Sequence, residues 1–547
     1  MNIAGVVFAD FVDAPAGGPS RLTADLAGQP VLVRTLRRLL AVDGLHRRIV
    51  FVRPRDREAA DAVLRDAELA ELVELLPLDT SSHSRRLLLA TARKWNLESW
   101  RGGLMGATWF DEYIDPPAVA LALNHLACEA VLCVDGHQAL LDPAIATAML
   151  THHARCREVA EMTFTQAPPG LAGLILQPAA VQQLVELNIP LGLLLSYRPE
   201  LAQSDPLIHE ACYHVSPGVA QTAARFVADT GRARELLALA VMECGEHVDA
   251  AALCAWTRQP GHDRAGALPV EVELELTTAD PLPNTALRPR GARVPRREVS
   301  DLDAVRRLAT ELASYDDRLV VLGGHGDPLQ HPAFAEVCRI LRAAGVYGVG
   351  VITPLVDLTD TTLNALFDER IDVVEVLLDA NTQQTYAQVH GLDCYARVRE
   401  NVLRIEATRR QRGQPQPIVA CSLTRCAATS SELETFYDDW LSETGTAVLR
   451  GYNDYCGVLT ADALLATTSR VREPCRRLHT RLALWADGHA PTCHQDFGGA
   501  GVLGDWTKEH LRGIWAGGTL SDLRRAHRDE RLEALPLCRP CSEWGRP

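Results

Sequence analysis

The chain has 547 residues, of which 47% are hydrophobic and 23% are charged, and its formal net charge is −15. This length predicts several domains of roughly 100–200 residues within an ordinary globular protein. The acidic balance argues against a nucleic-acid partner. The absence of both a basic N-terminal stretch and a run of about 18 apolar residues predicts a cytosolic protein without a membrane partner.

Residues 1–200 alternate short apolar runs with amphipathic helices. NIAGVVFADF and RRIVFVRP predict buried strands, and PVLVRTLRRLLAV between them places Leu32, Leu36, Leu39 and Leu40 on one helical face. This β–α–β order favours a parallel sheet covered by helices. A further apolar strand, AVLCVDG, ends in Asp135, at the edge where open α/β sheets bind ligands. Its carboxylate either holds a divalent cation that bridges phosphates or caps the following turn.

Residues 1–200 resemble the sugar nucleotidyltransferases, in particular their cytidylyltransferase branch. The resemblance rests on AGGPSRL, LAGQPVLVRTLRRL and VLCVDGHQALLDP, which occur in that order. It implies a doubly wound parallel sheet, triphosphate contacts from Ser20 and Arg21, and a metal ion held by Asp135. The ligands that it implies are Mg²⁺ and a nucleotide or nucleotide sugar. The lysine that the family carries just after the loop is absent, and Thr23 and Ala24 stand in its neighbourhood.

Two later segments are less informative. WRGGLMGATWFDEY, residues 100–113, combines glycines with an aromatic and acidic cluster. We interpret its aromatic side chains as core residues, and Arg101, Asp111 and Glu112 are candidates for binding. Residues 201–268 predict a helical extension that leads into the second half of the chain.

Residues 269–445 alternate strands and helices again. VEVELELTT, RLVVLGG, YGVGVITP and IDVVEVLLDA predict strands, whereas AFAEVCRILRAAG and YARVRENVLRIEATRRQRG predict helices. Successive βα units of this kind predict a partial or full α/β barrel whose functional loops follow the strand ends.

This barrel segment resembles the radical S-adenosylmethionine enzymes. GGHGDPLQHP, residues 323–332, is similar to the loop that binds the amino group of the cofactor in that family, with Asp327 in place of glutamate. VEVLLDANTQQTYAQVHG, residues 374–391, is similar to another strand of the family. The resemblance implies that Gly323, Gly324 and Asp327 contact S-adenosylmethionine.

The loop after the first strand departs from that family. Radical S-adenosylmethionine enzymes carry CxxxCxxC there, and its three thiolates bind a [4Fe–4S] cluster with one open iron. The matching positions in this chain are Asp280, Asn284 and Leu287, and no cysteine is available. Oxygen and hydrocarbon side chains are poor substitutes for thiolates. We therefore expect a degenerate barrel in which S-adenosylmethionine has lost much of its anchorage and its reductive cleavage has no electron donor.

Four of the fifteen cysteines are organised, with the spacing C-x17-C-x44-CxxC. The CxxC turn brings two sulfurs to one centre, and two distant cysteines can complete a tetrahedral set. The four spaced cysteines are Cys475, Cys493, Cys538 and Cys541. They hold a [4Fe–4S] cluster or a zinc ion, or they are free thiols without a metal. No spacing rule includes Cys456, and we interpret His479 and His494 as surface or supporting residues.

Residues 446–547 resemble the SPASM domain, an auxiliary iron–sulfur module of many radical enzymes, through LALWADGHAPTC, GVLGDW, LRGIW and LSDLRRAH. With GYNDYCGVL and the whole layout, the chain resembles the spiro-SPASM proteins. This implies a [4Fe–4S] cluster on the four cysteines. The predicted function is an iron–sulfur protein without radical cleavage activity, in nucleotide-sugar or cell-envelope glycan metabolism. The alternatives are a non-catalytic binding or scaffold protein and a radical enzyme that modifies peptides, and the sequence assigns no catalytic residue.

Overall fold

The protein is described by a computed structural model that covers residues 1–77, 83–200, 205–259, 266–299, 301–459, 464 and 472–545. The chain forms two compact units, Met1–His262 and Asp263–Pro547, and each contains its own seven-stranded sheet. Both units are mixed α/β structures with largely parallel sheets, and the predicted fold class is confirmed.

The finer division into segments 1–200, 201–268, 269–445 and 446–547 stays a prediction. Its first boundary adjoins residues 201–204, which lie outside the described residues, as does the stretch 260–265 within the helical extension.

The sheet of the first unit has the strand order β5–β4–β1–β6–β8–β7–β9, and β2 and β3 form a separate hairpin. The strands are β1 (Ile3–Ala9), β2 (Asp25–Leu26), β3 (Gln29–Pro30), β4 (Leu45–Val52), β5 (Glu74–Pro77), β6 (Ala130–Asp135), β7 (Met162–Thr165), β8 (Leu174–Leu176) and β9 (Cys212–Tyr213). The helices are α1 (Val31–Leu40), α2 (Arg57–Asp66), α3 (His83–Arg93), α4 (Pro116–Leu126), α5 (Pro143–Cys156), α6 (Pro178–Leu187), α7 (Pro217–Ala220), α8 (Gly231–Cys244) and α9 (Ala250–Trp256).

In the sheet of the first unit, the strands that the sequence predicts as parallel are parallel, whereas β8 is antiparallel to its neighbours. Strands β5, β4, β1 and β6 are parallel, whereas β8 is antiparallel to both β6 and β7. The chain passes from Thr165 to Leu174 between β7 and β8, and a parallel connection needs a crossover of about a dozen residues or more. The connection therefore returns the chain in the opposite direction.

The apolar pattern accounts for the core of this unit. Every residue of β1 and β6 is buried, as expected for strands covered by helices on both faces. Leu32, Leu36 and Leu39 of α1 are fully buried and Leu40 is half-buried, so the predicted helical face lies against the sheet. The helical stretch near the end of the unit is interrupted at Gly245, whose φ of +93° ends α8.

The sheet of the second unit is entirely parallel, in the order β15–β14–β13–β12–β11–β10–β16. Its strands are β10 (Glu271–Glu275), β11 (Leu319–Gly323), β12 (Gly348–Thr353), β13 (Val373–Leu377), β14 (Ile418–Arg425), β15 (Ala447–Gly451) and β16 (Arg481–Leu484), and β17 (His489–Pro491) pairs with β18 (Val502–Asp505) in a separate hairpin. Its helices are α10 (Leu302–Leu312), α11 (Phe334–Ala344), α12 (Asp360–Asp368), α13 (Gln383–His390), α14 (Tyr395–Arg412), α15 (Leu433–Thr444), α16 (Arg477–Thr480), α17 (Leu511–Trp515) and α18 (Gly518–Arg528).

Strands β10 to β15 follow one another in chain order with helices between them, as in a partial barrel. The sheet extends beyond residue 445, where the sequence places the end of the barrel, because β15 and β16 both belong to it. Strand β16 comes from the cysteine-containing segment and pairs with β10, so it covers what would otherwise be a free edge.

No helix in the described part of the chain combines the length and the apolar character that crossing a membrane requires. The loops after β6, β10 and β11, which carry the predicted site residues, all follow the carboxyl ends of parallel strands.

Candidate functional site

In the first unit, a histidine joins the two segments that the sequence predicts to bind a nucleotide. The Asp135 carboxylate accepts hydrogen bonds from the backbone N–H of His137 at 2.8 Å and from its ring Nδ1 at 2.9 Å. The other ring nitrogen, Nε2, lies 3.2 Å from the backbone nitrogen of Arg21 and 3.3 Å from the hydroxyl of Ser20. This network assigns a proton to Nδ1 and leaves Nε2 to accept from the loop. Ser20, Arg21 and Asp135 therefore meet at the end of β6.

The Asp135 carboxylate also stabilises the turn that follows β6. Its Oδ1 atom accepts from the backbone two residues ahead, and the Asp135 N–H donates to the side-chain oxygen of Gln138 at 2.6 Å. The capping interpretation of Asp135 thus describes a contact that is present. Its role as a ligand to a divalent cation stays a prediction.

The glycine-containing loop before Ser20 is held by a charged cluster that the sequence did not indicate. The carboxylate of Asp10 accepts from the backbone nitrogens of Val12 and Asp13, at 3.0 and 3.1 Å. The same carboxylate pairs with the guanidinium groups of Arg53 and Arg86. These arginines follow β4 or lie in α3, so only the folded chain brings their charge to the loop.

The acidic residues of segment 100–113 serve the fold of the first unit. Buried Glu112 pairs with Arg93 at 2.8 Å and with Arg225 at 2.7 Å. Asp111 accepts from the backbone nitrogens of residues 191 and 192, at 2.5 and 3.0 Å, and burial raises the pKa of its carboxyl. Both carboxylates make contacts within the fold, and their role in binding stays a prediction.

In the second unit, buried Glu275 connects the loops that follow β10 and β11. Its carboxylate accepts from Arg297 Nε at 2.7 Å and from the backbone nitrogen of His325 at 3.0 Å. Burial by itself would raise the pKa of Glu275, but the hydrogen bonds and charges of His325 and Arg297 lower it to about 2. The ionised carboxylate therefore holds the GGHGDP loop against the end of β10.

Packing accounts for one of the glycines predicted to contact S-adenosylmethionine. Gly324 has a φ of +92°, and a Cβ atom there would lie 2.7 Å from the Cβ of Glu275. A side chain would thus be strained by the backbone and would collide with a buried residue. Gly323 is the last residue of β11. Cofactor contacts from Gly323 and Gly324 stay a prediction.

Asp327, the third residue predicted in this loop, is fully buried. Its Oδ1 atom accepts from the Thr353 hydroxyl at 2.8 Å and from the backbone nitrogen of Leu329 at 3.1 Å. Its Oδ2 atom is also buried and has no hydrogen-bond partner among the described residues. Burial, with a smaller contribution from Asp280, raises the pKa of Asp327 to about 7.

The three positions that match the missing cysteines have three different environments. The side chain of Asp280 is buried and pairs with Arg290 at 2.8 Å, whereas Asn284 is exposed. Leu287 is buried and packs with Val389 and other apolar side chains. The three side chains therefore do not form a shared ligand set.

Other residues of the loop after β10 also make contacts within the fold. The guanidinium of Arg288 lies 2.7 Å from the carboxylate of Asp379, whose side chain is fully buried at the end of β13. The His390 ring is 3.1 Å from the hydroxyl of Thr285 and also contacts the backbone of residue 378. Ion pairs and packing occupy the region after β10, and its residues do not fit a site-differentiated cluster.

The cysteine-containing segment shows a backbone hydrogen bond to sulfur. The N–H of Glu543 donates to the sulfur of Cys541, two residues earlier in the chain, at 3.3 Å. Burial raises the pKa values of Cys475 and Cys493, and nearby backbone N–H groups oppose that rise. Such bonds stabilise the thiolate form, which is the form that binds metals.

The thiols of this segment also influence one another. Burial raises the pKa values of Cys493 and Cys538 to about 12 each, and Cys475 and Cys541 add to both increases. Cys456, which no spacing rule includes, has the largest influence on Cys541 and lowers the pKa of that thiol.

The residue type of the four spaced positions suits a thiolate-bound metal centre. The hydrogen bond to Cys541 favours its thiolate, and cysteine is the usual ligand of iron–sulfur clusters and of structural zinc. Within the described ranges, no three His, Cys, Asp or Glu side chains are arranged as ligands of one metal ion. The convergence of the four predicted sulfurs on one centre stays a prediction.

Comparisons with known proteins give partial matches. No family model matches the chain. An uncharacterized protein of Treponema pallidum (strain Nichols) is 26% identical over 291 residues, which cover 51% of this chain and 79% of that protein.

Several solved structures are similar to parts of the chain. BtrN in complex with AdoMet and 2-DOIA has 15% identity and a TM-score of 0.34, over 50% of this chain and 93% of BtrN. A cytidylyltransferase from Leptospira borgpetersenii has 10% identity and a TM-score of 0.33, over 47% of this chain and 94% of that structure. Streptococcus suis SuiB bound to the precursor peptide SuiA has 10% identity and a TM-score of 0.41, over 67% of this chain and 85% of SuiB. Scores below 0.5 support no functional conclusion by themselves.

Replacement of Asp327 by asparagine should stabilise the protein more at pH 8 than at pH 5. The folded state holds the Asp327 proton up to a pKa of about 7, whereas an unfolded aspartate loses it near 3.9. Wild-type stability therefore falls as the pH rises from about 4 to about 7, and the amide does not titrate. We expect the advantage of Asp327→Asn in free energy of unfolding to increase by about 3 kcal/mol between pH 5 and pH 8, measured by urea denaturation.

The control for this measurement is Asp522→Asn, which changes an exposed carboxylate in the same unit. Its unfolding curves should follow those of the wild type at both pH values. If Asp327→Asn changed the free energy of unfolding equally at pH 5 and pH 8, the raised pKa of Asp327 would be contradicted.

Proposed function

We propose that this protein is an iron–sulfur protein with a radical S-adenosylmethionine-like barrel that does not cleave the cofactor. We further propose that its first unit binds a nucleotide or nucleotide sugar together with Mg²⁺, in nucleotide-sugar or cell-envelope glycan metabolism. The observation that supports the iron–sulfur assignment is the C-x17-C-x44-CxxC spacing of the four cysteines, of which Cys541 accepts a hydrogen bond from the backbone of Glu543 at 3.3 Å.

The four spaced cysteines would hold a [4Fe–4S] cluster. Four thiolates occupy every external iron position, so the cluster would supply electron transfer or structural support and no open iron for a substrate. Burial raises the pKa values of Cys493 and Cys538 and thereby favours their neutral thiols, so a metal ion bound there would supply the positive charge that holds them as thiolates. Zinc is the second candidate for the same ligands, because Zn(Cys)4 sites use an identical donor set.

The contacts of the loop after β10 support a barrel without radical chemistry. Cleavage of S-adenosylmethionine needs a cluster with one open iron, and CxxxCxxC provides it in the related enzymes. Here Asp280 pairs with Arg290 and Leu287 packs in an apolar cluster. Neither side chain is a soft ligand, and both are already committed to other contacts.

The proposal for the first unit rests on the network that His137 forms. It brings the hydroxyl of Ser20, the backbone of Arg21 and the carboxylate of Asp135 to the carboxyl edge of the sheet. Backbone and hydroxyl donors suit phosphate oxygens, and a carboxylate suits the Mg²⁺ that bridges them. The engagement of Asp135 by His137 favours a second candidate, a non-catalytic binding protein that retains recognition without transfer.

The first test of this proposal is the metal content of the four-cysteine site. Anaerobically purified protein should contain about four iron and four sulfide ions per chain, as one [4Fe–4S] cluster requires. Cys538→Ala should lose most of both, and its cysteine segment should become less stable because ligands distant in sequence no longer share a metal. Iron and sulfide are quantified chemically, and the stability is followed by hydrogen exchange of residues 472–545.

Cys394→Ala is the matched control, since Cys394 is a half-buried cysteine of the same unit outside the spaced set. It should retain the wild-type iron and sulfide. Stoichiometric zinc without sulfide would assign the site to zinc, and unchanged iron and sulfide in Cys538→Ala would disprove the ligand assignment.

The second test concerns the barrel. Supplied with S-adenosylmethionine and dithionite, the reconstituted protein should form no 5′-deoxyadenosine above the level of a protein-free sample. The reason is that its fully ligated cluster has no open iron and the loop after β10 holds no second one. The product is measured by mass spectrometry. If the wild type forms 5′-deoxyadenosine steadily and Cys538→Ala forms as much, the barrel carries an active cluster.

The third test is Mg²⁺-dependent nucleotide binding by the first unit. Asp135→Asn should weaken binding about tenfold or more, because the amide can still accept from His137 but no longer neutralises a cation. Calorimetric titration with nucleoside triphosphates and nucleotide sugars, with Mg²⁺ or with EDTA, measures this effect. Asp43→Asn, an exposed change in the same unit, is the control. The absence of binding to every common nucleotide would reject this part of the proposal, and binding without turnover would select the non-catalytic candidate.

A further inference from the structure

Two arginines lie at the carboxyl edge of the sheet in the first unit, beside the loop that leads to Ser20. Arg53 directly follows β4, and Asp10 directly follows β1, the parallel neighbour of β4. The Asp10 carboxylate pairs with the guanidinium groups of both Arg53 and Arg86, and Arg86 belongs to α3. Open α/β sheets bind ligands outside the carboxyl ends of their strands. Both guanidinium groups therefore lie at the edge where this sheet would bind a ligand.

A second carboxylate, that of Asp13, completes a cluster of two positive and two negative side chains. It lies 3.1 Å from Nη2 of Arg53 and 3.7 Å from Nη2 of Arg86. The backbone of Asp13 forms a β-bridge with Pro19, the residue before Ser20. The charged cluster is therefore attached to the loop that carries Ser20.

The two carboxylates of this cluster are held to different extents. Asp10 also accepts from the backbone nitrogens of Val12 and Asp13, at 3.0 and 3.1 Å, and its side chain is 16% exposed. The side chain of Asp13 is 45% exposed, and its distance of 3.7 Å from Arg86 exceeds that of a hydrogen bond. Ion pairs that water reaches contribute little to stability. Asp13 is thus the carboxylate that a stronger anion can replace.

Each of the two guanidinium groups has a donor that the fold does not use. Arg53 is only 9% exposed, and its Nε atom is buried without a hydrogen-bond partner among the described residues. The Nε atom of Arg86 is also buried and has no partner in the described part of the chain. A phosphate group has more acceptor oxygens and more negative charge than a carboxylate, and guanidinium groups match its geometry. The pair therefore suits phosphate better than it suits the carboxylate of Asp13.

We propose that Arg53 and Arg86 form a phosphate-binding subsite for the nucleotide and that Asp13 occupies this subsite when no nucleotide is bound. This inference rests on the nucleotide-binding part of the proposed function. Binding replaces the contacts of Asp13 to the two guanidinium groups by contacts to phosphate oxygens, and Asp10 keeps its contacts to the loop backbone. The half-exposed carboxylate of Asp13 moves into water. Asp13 is accordingly an internal competitor that weakens phosphate binding.

The test is calorimetric titration of the purified full chain with cytidine triphosphate and with inorganic pyrophosphate, each in the presence of Mg²⁺. Arg86→Gln should weaken the binding of both about tenfold, because a charge-assisted contact to phosphate is lost. Asp13→Asn should strengthen the binding of both about threefold, because the amide competes less well for the guanidinium groups. Damage to the loop would weaken binding, so tighter binding by Asp13→Asn separates competition from a purely structural role.

Arg55→Gln is the matched control, because Arg55 lies two residues from Arg53 and its side chain is 61% exposed. Water screens an exposed charge, so this variant should bind both ligands as the wild type does. If the wild type binds cytidine triphosphate and neither Arg86→Gln nor Asp13→Asn changes its affinity, the subsite is overturned and nucleotide binding stands.

The remaining outcomes separate the subsite from the proposed function. Binding of pyrophosphate but not of cytidine triphosphate, with both variants behaving as expected, would support the subsite and contradict nucleotide binding. If neither the wild type nor Asp13→Asn binds either ligand, both are overturned. If Arg86→Gln does not fold, Asp13→Asn decides: tighter binding supports the inference, and unchanged binding overturns it.

Discussion

The second unit depends on the compensation of one buried negative charge, that of the Glu275 carboxylate. Arg297 and His325 compensate its charge, and each comes from a different loop. The Arg297 guanidinium also lies 4.2 Å from the ring centroid of Trp485, and the backbone nitrogen of Ala486 lies 3.4 Å from the Glu275 carboxylate. A buried carboxylate without such partners costs several kcal/mol, on the order of the net stability of a small domain. The end of β10, the GGHGDP loop after β11 and the turn that links β16 to β17 must therefore assemble together.

Charge compensation also distinguishes the loop after β10 from the cysteine-containing segment. In the loop after β10, Asp280 forms an ion pair and Leu287 packs in an apolar cluster. In the cysteine-containing segment, the sulfur of Cys541 accepts a hydrogen bond from the backbone of Glu543. The loop after β10 has compensated its charges internally, whereas metal binding by the cysteine-containing segment stays a proposal.

Local sequence patterns predicted the elements of the fold well because helices and strands leave a period in the chain. The apolar face of α1 and the alternation of strands and helices after residue 269 are visible from neighbouring residues alone. The antiparallel β8 and the edge strand β16 were not, since pairing partners depend on connections and free edges that a local period does not encode. The fold class was predictable in this sense, and the exact sheet membership was not.

The candidate sites follow the same division. The spacing of the cysteines and the position of Asp135 at a strand end were readable from the sequence, whereas the role of His137 depends on a contact with a loop 116 residues earlier. Arg53 and Arg86 pair with Asp10 from distant segments of the chain. Charged and polar partners of this type have no periodic signal. Their identification requires the folded chain.

The pairing of β16 with β10 has a consequence for the handling of the protein in a cell. Strand β16 belongs to the segment that carries the cysteines, and its four residues occupy the backbone hydrogen-bonding edge of β10. If loss of a metal or oxidation of the thiols unfolded that segment, β10 would present unpaired N–H and C=O groups to solvent. An exposed parallel edge of this kind is a template for strand addition by another chain. Damage at the cysteines would thereby lead to self-association of the barrel. Intact cysteines would protect the protein against aggregation.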